Sequence, residues 1–265
     1  MGEKNKQLVN NSLLRMIQMG DLVGILELVL ENPLTHVNRV EFLSKVYGMS
    51  ENDIRKGEID VSLEKKKIFA KQSIRKNITK STSLSFFSGL PGGLAVAGTI
   101  PADILQNMVF SIRLIQELAY IYDYEDIIDQ DGEIKIDGLI LFLGIMFGAQ
   151  GAASLMRVAS RNAATYASKK IMTTALTKTM WYPLLKNISK VVASKTLTKK
   201  TLAGAVSKFI PVIGGVASGG ITAVTMELAS KKLNNELIKG YRTNYDEDSF
   251  NKDFKIIEAE FEEIE

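Results

Sequence analysis

The sequence predicts an all-α protein, a multi-helix bundle that includes glycine-rich apolar helical hairpins. Three observations carry this expectation. Apolar residues recur at intervals of three and four through most of the chain, and alternation of period two is missing over any useful length. Hairpin dipeptides are nearly absent, Asp131-Gly132 and Asp137-Gly138 being the exceptions. Three runs free of charged residues, Ser81 to Ala102, Gly138 to Met156 and Phe209 to Met226, are 22, 19 and 18 residues long, and each carries several glycines.

The elements follow in order. Leu13, Leu14, Ile17, Met19 and Leu22 begin an apolar helical face that Ile25, Leu26, Leu28, Val29 and Leu30 continue, until Asn32-Pro33 stops it. Val40, Phe42, Leu43 and Val46 make a second, short helix closed by Gly48. Ser62 to Lys80 reads as a basic helix, with Leu63, Ile68, Phe69, Ile74 and Ile78 between its lysines and arginine. The first uncharged run is broken by Gly89-Leu90-Pro91-Gly92-Gly93, which predicts two short arms around a tight turn. A helix restarts at Pro101, a residue suited to a first turn, with Asp103 near the positive end of its dipole, and runs to about Tyr122. Asp123 to Lys135 is a polar connector.

In the second run Gly144, Gly148, Gly151 and Ala152 lie at helical spacings, which predicts a smooth strip for close helix approach. A basic helical region follows to about Lys200, with an interruption expected at Trp181-Tyr182-Pro183. The third run holds Pro211, Gly214-Gly215 and Gly219-Gly220, after which a helix through Ala229, Leu233, Leu237 and Ile238 ends at Gly240. Phe254, Ile257, Phe261 and Ile264 mark an acidic amphipathic helix. The expected organisation is a helical region over 1–58, a helical domain over 60–243 and an acidic tail over 244–265.

Charge is strongly segregated. The net charge is +3, yet Asp246 to Glu265 holds nine acids and two lysines, leaving about +10 on the rest. Between Gly138 and Met226 there is no acid, and eleven cations stand there, among them Arg157, Arg161, Lys169, Lys170, Lys186 and Lys190. From Lys65 to Gln116 the only acid is Asp103. Such a distribution speaks to partners, and anionic lipid and nucleic acid are the two candidates. Sparse aromatics in the acid-free stretch and no helix-turn-helix or RNA-binding signature disfavour nucleic acid.

Catalytic chemistry finds little footing. No cysteine is present, which removes thiolate nucleophiles and zinc–thiolate sites, and the single histidine is His36. No nucleophile elbow, His-Glu-x-x-His or phosphate-binding loop occurs, so neither an enzyme nor a metal or cofactor is expected. The polar start, Met1 to Asn11, and the acidic Glu27 within Leu22 to Leu30 do not resemble a secretory signal, so a cytoplasmic location is the default.

The run Gly89-Leu90-Pro91-Gly92-Gly93, then Ile100-Pro101-Ala102-Asp103, then a helix carrying Gln106, Arg113, Gln116 and Ala119 resembles the EcsC family of bacterial proteins. Ile210-Pro211-Val212-Ile213-Gly214-Gly215 with Gly219-Gly220 is similar to that family's second glycine-rich element. The resemblance covers roughly residues 60 to 243. It implies membrane association and no catalytic activity that can be carried over; the family is named for a gene beside an ABC transporter. Family members often have a glycine near Tyr122-Asp123-Tyr124, and this chain has none there.

Asp103 has two readings: a helix-start residue that bonds free backbone N–H groups, or one member of a polar network with Gln106 and Arg113. Arg113 lies ten residues beyond Asp103, about 15 Å along a helix, so its nearer partner is Glu117 at i+4. Spanning a bilayer takes about 20 apolar residues, and the glycines and prolines break the first and third runs. Half-depth hairpins, or helices hidden in a soluble fold, fit better. The acidic tail is a candidate cover for the basic region and the hairpins, or else a terminal helix that aids solubility. The expected function is peripheral docking on an anionic membrane surface through basic helices, with Arg157, Arg161, Lys169, Lys170, Lys186 and Lys190 as the lipid-surface candidates and insertion of glycine-rich hairpins alongside, as a transporter regulator or a bilayer-acting effector or immunity protein. The alternative is a soluble helical scaffold that holds a partner protein in its apolar grooves.

Overall fold

The computed structural model describes residues 21–31, 33–57, 59–81, 102–124, 135–159, 178–196, 218–241 and 245–264. Among these the protein is all-helical. Its helices are α1 (Leu22–Leu30), α2 (Arg39–Tyr47), α3 (Glu51–Lys56), α4 (Leu63–Ser81), α5 (Ala102–Ile121), α6 (Ile136–Phe147), α7 (Ala152–Ala159), α8 (Lys178–Thr196), α9 (Ser218–Lys239) and α10 (Glu247–Glu262).

Local chemistry sets most helix ends. Asp21, Asn38, Ser50 and Asp246 each cap a helix by accepting a backbone N–H from three residues on. Gly48 and Gly148 close α2 and α6 in the left-handed conformation, with φ of 68° and 74°. The end of α5 has no glycine. Asp123 takes the left-handed position at φ 60°. The Tyr124 and Asp123 N–H groups donate back to Ala119 and Tyr120 in a Schellman pattern. Asp tolerates this conformation better than most residues.

Two helices form the centre. On α5 every described side chain from Met108 to Ile121 except Arg113 is buried, and on α6 all residues from Leu139 to Met146 are. A helix apolar all round must be covered all round. Around α5 stand α4, α9, α2 and α1; around α6 stand α8, α7, α9 and α1. One continuous cluster joins Leu22, Ile25 and Leu26 of α1, the faces of α5 and α6, and Phe250, Phe254 and Ile257 of α10. The acidic tail is therefore built into the core through its apolar stripe.

Two expectations need correction. The second uncharged run is not one helix: α6 ends at Gly148, Gly151 takes φ 70°, and α7 begins at Ala152. The small residues still serve close approach, because the chain folds back on itself. A Cβ added at Gly144 would stand 3.0 Å from Ala152 Cβ and 2.5 Å from Ile188 Cγ2 of α8. The interruption expected at Trp181-Tyr182-Pro183 also does not occur, since α8 runs through Pro183. Pro183 sits near the start of the helix, where only the bond to Thr179 is forgone. No described helix is long and apolar enough to cross a membrane.

Candidate functional site

The strongest charge asymmetry among the described residues lies on α4. The helix carries seven cations and one acid, Glu64. At 100° per residue, Lys66, Ala70, Ser73, Ile74 and Asn77 share one arc, and all are buried. The opposite arc presents Lys65, Lys71, Arg75 and Lys76 to solvent, with Ile68, 54% exposed, near its middle. Burial, then the charges of Lys76 and Arg113, pull the Lys80 ammonium below its ordinary pKa. Lys80 thus stands on the flank of the helix nearer α5, beside Arg113, and not on the outer arc.

The inner arc fixes the helix in place. Lys66 donates to Asp123 at 2.5 Å and its ammonium lies 5.2 Å from the Tyr241 ring centroid. Glu117 of α5, itself buried, accepts from Ser73 Oγ and, at 2.6 Å, from Asn77 Nδ2. These contacts hold the outer arc outward.

Helix α9 packs beside α4 and extends the surface. It exposes Leu228 (50%) and Lys231, which pairs with Glu227 at 2.7 Å, while the Lys232 ammonium reaches toward Gly148 at the end of α6. Between the two helices lies a groove of about 570 Å³. Ile74, Ile78 and the buried Asn234 line its depth, Lys71 and Arg75 one rim, and Glu227 and Lys231 the other.

The residues singled out from sequence fall in three groups. Gly89, Pro91, Gly92, Gly93, Pro101, Pro211, Gly214, Gly215, Arg161, Lys169 and Lys170 lie outside the described residues. Asp103 and Gln106 are placed on the first turns of α5, and Gly219 and Gly220 on the first turn of α9, by backbone alone. The rest have defined surroundings. Arg113 donates to the His36 carbonyl at 3.1 Å. Gln116 accepts from Val37 N–H at 3.0 Å and donates to the Thr35 carbonyl at 2.6 Å, so these two residues tether the 35–37 segment to α5. Lys186 and Lys190 are exposed on α8.

Arg157 is not on a lipid-facing surface. Its side chain is 13% exposed and bridges three helices. Its Nε and Nη2 donate to Asp253 of α10 at 2.8 and 2.7 Å, and its Nη1 donates to Glu236 of α9 at 2.6 Å. Asp253 also accepts from Ser154 Oγ at 2.8 Å and Tyr245 Oη at 3.0 Å. Burial works against the guanidinium charge, but Asp253 and Glu236 outweigh it and hold its pKa above the ordinary value. Burial likewise pushes Glu236 up, and hydrogen bonds from Lys239 and Arg157 bring it below the usual carboxylate range. The buried charges Lys66 and Asp253 were not singled out by sequence, and Glu117 was named only as an i+4 partner of Arg113. For Lys66 a signal existed: it is in helical phase with Ala70, Ser73 and Asn77.

Among the described residues no cluster of three or more His, Asp or Glu is placed to hold a metal. Comparison with known proteins finds no match: no protein-family model, no curated protein and no solved structure aligns with the chain. The resemblance to the EcsC family therefore rests on the quoted residues alone.

Proposed function

We propose that this protein docks peripherally on anionic lipid through the basic outer face of α4 and its neighbour α9, from the cytoplasmic side. The observation that carries this is the four exposed cations Lys65, Lys71, Arg75 and Lys76 on the face of α4 around the exposed Ile68. Basic residues close to an anionic surface gain on the order of 1 kcal/mol each, so even a fraction of that face suffices for reversible binding. Ile68 and Leu228 add shallow apolar contact of the kind interfacial helices use. Docked there, the protein would stand beside membrane-borne partners, a transporter among them. Membership in the EcsC family belongs to the same proposal.

The test is vesicle co-sedimentation of the full chain, using phosphatidylcholine alone and phosphatidylcholine mixed with phosphatidylglycerol. Binding is expected only to the anionic vesicles. It should weaken from about 0.1 M to about 1 M salt, as the Debye length shrinks from about 10 to about 3 Å. Lys65→Glu with Lys76→Glu should abolish it at the lower salt. Equal partition to both vesicle types, or charge reversal without effect, would refute docking through this face.

A further inference from the structure

The groove between α4 and α9 differs from the flat basic face beside it, and we infer that it is a binding site for one single-chain anionic amphiphile, a fatty-acid carboxylate. Three features point to that chemistry. The deep lining is mostly apolar, Ile74 and Ile78 beside the buried Asn234, and Ile74 is only 6% exposed, so the groove reaches down to the core. Its volume of about 570 Å³ lies within the range of about 300–1,000 Å³ typical of small-molecule sites. The rim is electrically lopsided. Lys231 is neutralised by Glu227 at 2.7 Å, whereas Lys71 and Arg75, one turn apart on the opposite rim, have no ion pair with a described residue.

An acyl chain on the isoleucine floor would place its carboxylate against Lys71 and Arg75. The guanidinium is suited to such a partner, because its fork meets both carboxylate oxygens. A cationic headgroup would meet two like charges, and a neutral one would leave them uncompensated. Charge complementarity therefore selects the anion, while the floor selects the chain. The site rests on the docking proposed above, since the bilayer is the source of the amphiphile.

The experiment uses the full chain without vesicles and titrates it calorimetrically with monomeric dodecanoate, dodecyltrimethylammonium and acetate. Dodecanoate should bind saturably with about one site per chain. Acetate should show no binding, and dodecyltrimethylammonium should bind at least about tenfold more weakly, the scale of one lost charged contact. Arg75→Glu, at an exposed position that leaves the core intact, should weaken dodecanoate by about tenfold or more. Lys65→Glu with Lys76→Glu, outside the groove, should leave dodecanoate affinity unchanged. No saturable dodecanoate binding, equal binding of the cationic amphiphile, or full affinity in Arg75→Glu overturns the site, even if vesicles still bind. Failure of the unaltered chain to bind anionic vesicles, with dodecanoate affinity retained, refutes the docking face instead and leaves the groove standing.

Discussion

Asp253→Asn is nearly isosteric and removes one charge from the junction of α7, α9 and α10. The carboxylate accepts four hydrogen bonds, two on each oxygen: Ser154 and Arg157 Nη2 on one, Arg157 Nε and Tyr245 on the other. Whichever oxygen becomes an amide nitrogen, one arginine N–H then faces a donor. Hydrogen bonds to charged groups are worth about 1.5–3 kcal/mol each, and cutting a buried ion pair on one side costs about 3–5 kcal/mol. We expect a loss of about 3–5 kcal/mol, a large share of the roughly 5–15 kcal/mol that holds a typical domain folded. Urea unfolding followed by circular dichroism at pH 7 measures it, as a midpoint lowered by about 1–2 M. Glu262→Gln, exposed on the same helix, serves as control and should stay within about 0.5 kcal/mol. The double variant Arg157→Met/Asp253→Leu should be less destabilised than the sum of its single changes, because it strands no charge. A loss below about 1 kcal/mol for Asp253→Asn, or strict additivity in the double variant, would refute the assignment of this cluster as a buried tie.

Gly144→Ala should cost about 1–3 kcal/mol by overpacking against Ile188, and Ile188→Ala in the same chain should recover part of it, both read from urea midpoints. Asp123→Asn keeps the left-handed turn tolerable but leaves the Lys66 ammonium, 3% exposed in its side chain, with a neutral partner; a loss of about 1–3 kcal/mol is expected in thermal unfolding. Deleting residues 246–265 removes three fully buried side chains, Phe250, Phe254 and Ile257, each worth about 1.5–3 kcal/mol. The truncated chain should lose cooperative unfolding by calorimetry; a normal transition in it would show that the tail is dispensable. Burial pushes the Tyr120 phenol up to about 12 and holds Tyr47, Tyr122 and Tyr245 higher still. Each such phenol contributes stability that is present below the ordinary value of 10.0 and lost as pH rises through the folded pKa, so a 295 nm titration should ionise these four only with unfolding. Glu236 works in the opposite direction. Its lowered carboxyl contributes stability above the ordinary 4.5 that fades as pH falls through its folded pKa, and Glu236→Gln should flatten that acid limb.

What the chain shows one element at a time could be read from its residues. α1 ends at Leu30, just before Pro33, Gly48 closes α2, and the apolar stripe of α10 is plain from Phe254, Ile257 and Phe261. These depend on neighbours within one or two turns. Relations between elements were not legible. Arg157 looked like a surface cation because its partner stands 96 residues away, and Lys66 looked like one of three equivalent lysines because Asp123 is 57 residues off. Gly148 and Gly151 fit a helical strip as well as a turn; what decided was that the chain could bury Gly144 against α8 by folding back. The tail's acidity suggested a cover, yet its apolar stripe governs where it sits, because burying three large side chains outweighs exposed charges that water already satisfies.

The Arg157–Asp253 tie also has a consequence in time. A ribosome making about 5–20 residues per second needs roughly 5–20 s to go from one partner to the other. Throughout that interval the nascent α7 carries a guanidinium without its carboxylate, and the apolar surface that Phe250, Phe254 and Ile257 will cover stays open. Closure of the core thus waits on the synthesis of α10, and a nascent chain that has not yet reached it is the form in most need of a chaperone. Ribosome-bound chains stalled before residue 246 should be digested by added protease, whereas chains extended past Glu265 by a linker should resist it.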